Sequence, residues 1–184
     1  YDNYNFHNVM QLVLNFCTND LGGFYLDIIK DRQYTTTENS LARRSAQSAL
    51  NHIVESMVRW LSPVLSFTAE EIWQNMPSEK NDSVFLESWY EGLTSGYEND
   101  AIDAARVINP HIRKQMEGMR SEKIIGSSLD AEVDIYCNDD IYKSLTKLGD
   151  ELRFVFITSY ARIHPLDEKT DKCIEAGDGV FIEV

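Results

Sequence analysis

The spacing of apolar side chains changes once along this 184-residue chain, and that change limits what it can fold into. From Phe6 to Met119 the apolar positions recur mostly every three or four residues, the period of helices with one buried face. From Ala131 to Cys137 they recur every second residue, the period of a half-buried strand. The pattern predicts a mainly α protein: a helical bundle followed by a small α+β subdomain. We place the bundle at residues 1–98, and a connecting helix with the small subdomain at 99–184.

Within the first 35 residues, Phe6, Val9, Met10, Val13, Phe16, Cys17, Leu21, Phe24 and Ile28 form one stripe, interrupted by Gly22-Gly23, where we expect a bend or the close approach of another backbone. Thr35-Thr36-Thr37 reads as a loop. Ser40 is the expected N-cap of a second helix, with Ala46, Leu50, Ile53, Met57 and Leu61 inward, and Arg44, Gln47, Asn51 and Glu55 outward. Pro63 ends it. Thr68 and Glu71 suit a capping box, with Ile72, Trp73 and Met76 facing inward.

Residues 77–100 read as irregular, anchored by Val84-Phe85-Leu86 and Trp89. Pro110 lies inside the next helical pattern, so we expect a kink or a restart capped by Asn109. A helix follows at Ile141, Leu145 and Leu148, ended by Gly149. Residues 152–157 fit helix or buried strand, and Gly177-Asp178-Gly179 precedes a last strand, Val180 to Val184.

Charge excludes one class of function. The net charge of -13 argues against indiscriminate nucleic-acid binding, but the acid is uneven. Residues 1–60 carry five basic against six acidic groups, and residues 101–123 carry five against three. Residues 61–100 and 124–184 are each net -7. Any RNA-facing surface should draw on the first and third of these stretches. Two basic clusters lie there: Lys30, Arg32, Arg43 and Arg44 around the Thr-rich loop, and Arg113, Lys114, Arg120 and Lys123. Arginine forks suit phosphate oxygens, and Tyr34 offers a ring to an unpaired base. Internal salt bridges and a solvated helix face are the competing readings.

Nothing in the sequence reads as a catalytic motif. The nine glycines form neither GxGxxG nor a P-loop. Cys17, Cys137 and Cys173 include no CxxC pair, and the four histidines lack ligand spacing, so we expect no metal site and free thiols. Cys17 is expected in the core. No apolar run approaches the roughly 20 residues of a membrane helix, and Tyr1-Asp2-Asn3-Tyr4-Asn5 lacks the basic-then-apolar pattern of a signal peptide. We expect a monomeric, cytoplasmic piece of a larger protein.

Several strings carry a resemblance. They are Asn15-Phe16-Cys17-Thr18-Asn19-Asp20-Leu21, Phe24 through Thr35, Arg43-Arg44-Ser45-Ala46-Gln47, Ser66 through Trp73, Arg120 through Leu129, and Gly149 through Val155. Together they resemble the anticodon-binding region of the bacterial isoleucyl-tRNA synthetases, class I aminoacyl-tRNA synthetases. The resemblance implies a helical bundle of that family's type, which binds the anticodon stem and loop of tRNA(Ile).

It also implies a parent enzyme that attaches isoleucine to tRNA with ATP and magnesium, and an editing domain that clears mischarged valine. The HIGH and KMSKS signatures of the catalytic core do not occur here, so catalytic residues and cofactors are expected outside this fragment. Family members often end in a zinc ribbon, which we expect beyond Val184, leaving Cys173 outside its ligand set. Pro110 departs from the family pattern. The candidate RNA contacts are Lys30, Arg32, Tyr34, Arg43, Arg44, Arg120 and Lys123. The alternative function is a helical module that docks on protein without touching RNA.

Overall fold

A computed structural model describes residues 1–77, 80–94, 99–177 and 179–184. The chain divides into two compact units, Tyr1–Ile28 with Glu98–Val184, and Ile29–Tyr97. The bundle expected over residues 1–98 is thus shared between them. The first 28 residues group with the C-terminal part because Phe24 packs on its core and Asp20 pairs with Arg106.

In the unit Ile29–Tyr97, α3 (Lys30–Tyr34) leads into α4 (Leu41–Leu61), and α5 (Ser66–Asn75) follows. Ser40 caps α4 as expected, its Oγ accepting from the Arg43 amide at 3.2 Å, a bond that stabilises a helix by about 1 kcal/mol. The core is small: Val58, Ala69, Trp73 and Val84, with Met76 packed against it. Trp73 Nε1 donates to the Asn81 carbonyl at 2.9 Å.

Several expectations change here. α5 begins at Ser66, so Thr68 lies inside the helix and the capping box does not form. Ile72 is exposed instead of inward. Glu70, one residue from the expected cap partner, instead reaches 13 residues on and accepts from Ser83 Oγ at 2.8 Å and the Val84 amide at 3.1 Å. Of the four expected anchors only Val84 is buried; Phe85, Leu86 and Trp89 are exposed. Glu55, expected outward, is buried because Arg59 turns inward between it and Glu87, with its guanidinium 4.7 Å from the Trp73 ring centroid. A charge drawn into an apolar core is held there by two carboxylates and a ring face. Within the irregular segment, residues 78–79 and 95–98 lie outside the described residues, as does the 98/99 boundary.

In the other unit, α1 (Phe6–Asn15) runs into a π-helical segment, Phe16–Tyr25, and then α2 (Leu26–Ile28). The Gly22-Gly23 break is this change of winding. A β-carbon on Gly22 would stand 2.9 Å from the Cys17 carbonyl oxygen, and one on Gly23 3.0 Å from that of Thr18, so glycine relieves both turns. Cys17 is half-buried and not a core residue.

α6 (Asp100–Ser121) continues through Pro110 as one helix, neither restarting nor capped by Asn109, which is buried within it. Its buried residues Ala105, Ile108, Ile112 and Met116 join the main core, and packing on that face outweighs the lost proline N–H.

The sheet has order β2-β1-β4-β3, from β1 (Glu132–Cys137), β2 (Tyr160–Pro165), β3 (Ile174–Glu175) and β4 (Phe181–Glu183). β1 and β2 are parallel, so the chain between them crosses over through α7 (Asp139–Thr146) and α8 (Leu152–Phe156). The ambiguous run 152–157 is therefore helix, stopped by Ile157 at φ 58°. Gly149, at φ 50°, follows α7 by three residues. The β1 expectation holds in part: Val133, Ile135 and Cys137 are buried, but so is Tyr136, expected on the other face. Burial pushes the Cys137 thiol up to about 11. The turn before β4 includes Asp178, which lies outside the described residues.

Candidate nucleic-acid interface

The seven candidate contacts fall into two rims, one in each unit. In the unit Ile29–Tyr97, short local bonds shape the Thr-rich loop. Thr35 and Thr36 hydroxyls donate back to the Asp31 and Arg32 carbonyls at 2.7 and 2.6 Å, closing the end of α3. Ser40 Oγ bonds Thr36 Oγ1 at 3.0 Å, and Arg43 Nη1 reaches the Thr36 carbonyl at 3.4 Å. Arg43 thus braces the loop. Arg44 is exposed. Tyr34 is 84% exposed, and Lys30 and Arg32 are each engaged in contacts of their own.

The second rim lies on and just beyond α6. Arg113 and Arg120 are seven residues apart, two helical turns, and so share a face. They line one cavity of about 230 Å³ with Asp27, Ser128 and Phe156. Arg120 donates to Glu117 at 2.9 Å and to Ser128 Oγ at 3.2 Å, while Arg113 stands 4.0 Å from Asp27. All four of these charged side chains are at least one-third exposed or nearly so, which keeps the ion pairs weak and exchangeable.

Lys123 follows α6 at φ 60°, a left-handed conformation that glycine adopts at no steric penalty. Its amide donates to the Arg120 carbonyl at 3.0 Å and that of Ile124 to Met119 at 2.9 Å, the Schellman pattern. The sequence clustered Arg113, Lys114, Arg120 and Lys123 but missed Ser128 and Asp27. A short turn brings Ser128 back: the Gly126 and Ser127 amides both donate to Asp130 Oδ2.

Arg162 forks onto Asp134 through Nε and Nη2 at 2.7 and 3.0 Å, and His164 Nε2 meets the same carboxylate at 2.7 Å. The Arg162 fork holds the Asp134 carboxyl below its usual range, against partial burial. Among the described residues no three His, Cys, Asp or Glu side chains converge to hold a metal ion, and Cys173 neighbours Thr170 Oγ1. The thiols and imidazoles present do not fit a zinc site. No helix is long and apolar enough to cross a membrane among the described residues.

Exposed cations thus stand beside the Thr-rich loop in one unit and along α6 in the other. Residues 1–135 match the family described as "Anticodon-binding domain of tRNA ligase", and the chain belongs to that family. It is 74% identical over 184 residues, its whole length, to an isoleucine–tRNA ligase of Ruthia magnifica subsp. Calyptogena magnifica. It is 56% identical over 183 residues to that of Nitrosococcus oceani and 50% over 180 to that of Alkalilimnicola ehrlichii, 95% of the chain in each case. The chain spans about a fifth of the length of these relatives: 20%, 19% and 19%.

Proposed function

We propose that this chain is the anticodon-reading module of an isoleucine–tRNA ligase and binds the anticodon stem and loop of tRNA(Ile). The observation that carries the reading is the cavity shared by Arg113, Arg120 and Ser128, with Lys123 just beyond it. Two planar forks and a hydroxyl line it, and the exposed pairs of these arginines with Asp27 and Glu117 are weak enough to give way to a phosphate oxygen. Phosphate contacts set the register of an RNA, and unpaired loop bases then carry its identity. The names of the relatives support isoleucine as the amino acid and tRNA as the partner.

In this reading the chain does no chemistry itself. Isoleucine activation with ATP and magnesium, and editing, belong to other domains of the parent, which are the chain's second set of partners. Zinc belongs to a ribbon outside these 184 residues. The module works in the cytoplasm, as one copy per enzyme. Its net charge of -13 opposes stray RNA, so only a tRNA whose phosphates meet the exposed cations binds well.

One observation favours the alternative of a protein-docking module. Val54, Met57, Leu61, Leu65 and Ile72 line an apolar groove of about 160 Å³ between α4 and α5. The test is titration of an isoleucine tRNA onto the protein across 25–200 mM salt. Affinity falling steeply with salt supports the RNA reading, and indifference to tRNA supports docking.

A further inference from the structure

On the flank of α6 opposite the arginine cavity lies a larger groove of about 490 Å³. Its volume falls in the range of roughly 300–1,000 Å³ typical of small-ligand sites. One wall is the α6 face carrying Gln115, Gly118, Met119 and Glu122, and the other is the sheet edge at Ile174, Glu175 and Ile182. β3 is the outermost strand of the sheet and pairs only with β4. We propose that this groove takes one unpaired nucleobase of the bound RNA, a base presenting amino or imino donors. The inference rests on the RNA-binding reading above.

Three features define the occupant. First, the groove is open where a ring needs room: beyond its own helix backbone, nothing lies within 4 Å of where a Gly118 β-carbon would stand. Met119 on one wall and Ile174 on the other offer apolar surfaces to the two faces of a planar ring. Second, its charge does not suit a phosphate. Lys114 is outnumbered by the carboxylates of Glu122 and Glu175, so an anion is repelled where an uncharged base is not. Third, the carboxylate and amide oxygens of Glu122, Glu175 and Gln115 outnumber the nitrogens of His111, Lys114 and Gln115 that line it. Two carboxylates and the Gln115 amide oxygen face a base that offers N–H groups, as adenine, cytosine and guanine do through exocyclic amines and uracil does less. The two flanks of α6 thus divide the work, with arginines for phosphates and this groove for a base.

The test is fluorescence anisotropy of the full chain with an isoleucine-tRNA anticodon stem-loop, and with single-stranded oligo(A) and oligo(U). The variants are Gly118→Leu and the pair Glu122→Gln with Glu175→Gln. Leucine at position 118 meets open space and favours helix, so the thermal midpoint holds or rises. Gly118→Leu is expected to weaken stem-loop binding about tenfold with an unchanged salt slope, because no phosphate contact is lost. The wild type is expected to prefer oligo(A) over oligo(U), and the double glutamine variant to lose that preference. If the wild type binds the stem-loop and Gly118→Leu binds it equally, the base site is overturned while the RNA reading stands. If the wild type binds no RNA even at low salt, the RNA reading falls and takes the base site with it.

Discussion

The Ile124 amide donates to the Met119 carbonyl at 2.9 Å and closes the end of α6 around Lys123, which sits at φ 60°. A lysine there holds a backbone conformation that glycine adopts without penalty. Lys123→Gly should therefore stabilise the protein, by about 1 kcal/mol in denaturant melts. In the functional account it should also weaken tRNA binding and lower the salt slope by about one. A variant that is more stable and binds worse marks Lys123 as kept for its ammonium.

The two glycine contexts give predictions of opposite sign. Gly22→Ala places a methyl 2.9 Å from the Cys17 carbonyl oxygen and should destabilise by about 1 kcal/mol or more, despite alanine's higher helix propensity. Gly118→Ala meets nothing within 4 Å and should stabilise by about 0.5–1 kcal/mol. Thermal melts of the two variants check the pair. Equal stabilisation of both would mean the Phe16–Tyr25 segment winds as ordinary α-helix.

Much of this was legible in the sequence, because period and capping are local. The Ser40 cap, the β1 alternation and the last strand follow from neighbours within a few residues. What stayed hidden depends on distant partners. Glu55 reads as a surface residue until Arg59 is seen to bridge it to Glu87, 28 residues beyond Arg59, over the Trp73 ring. Thr68 and Glu71 fit the capping spacing, yet α5 starts earlier, at Ser66, and its Glu70 turns to Ser83. Strands β2 and β3 lack clear alternation because β2 is nowhere fully buried and β3 is two residues at an edge. In the candidate interface, the basic residues could be read and the grooves could not, since each groove needs a wall supplied from far along the chain.

Acid should expose the Asp134 network. The Arg162 fork lowers this carboxyl from its ordinary value, with partial burial acting the other way. A depressed carboxylate contributes stability above its unfolded value, about 3.9, and loses it as pH falls through the lower folded value. Asp134→Asn should thus cost about 1 kcal/mol at pH 7, and the gap to the wild type should close below about pH 4. Urea melts of both proteins at pH 7, 5 and 3 check the sign. A gap that widens on acidification would contradict the assignment.

The most direct measurement is the salt dependence of isoleucine-tRNA binding after reversing Arg44, Arg113, Arg120 and Lys123 to Glu together. A control protein carries the same reversal at Lys143, Arg153, Lys169 and Lys172, which removes as much charge away from both rims. The account predicts that the rim variant loses more than tenfold in affinity and about one unit of salt slope for each phosphate contact removed. The control should lose much less, and both should keep nearly the wild-type thermal midpoint. Equal affinity and slope in the rim variant and the control would contradict the claim that these rims hold the RNA.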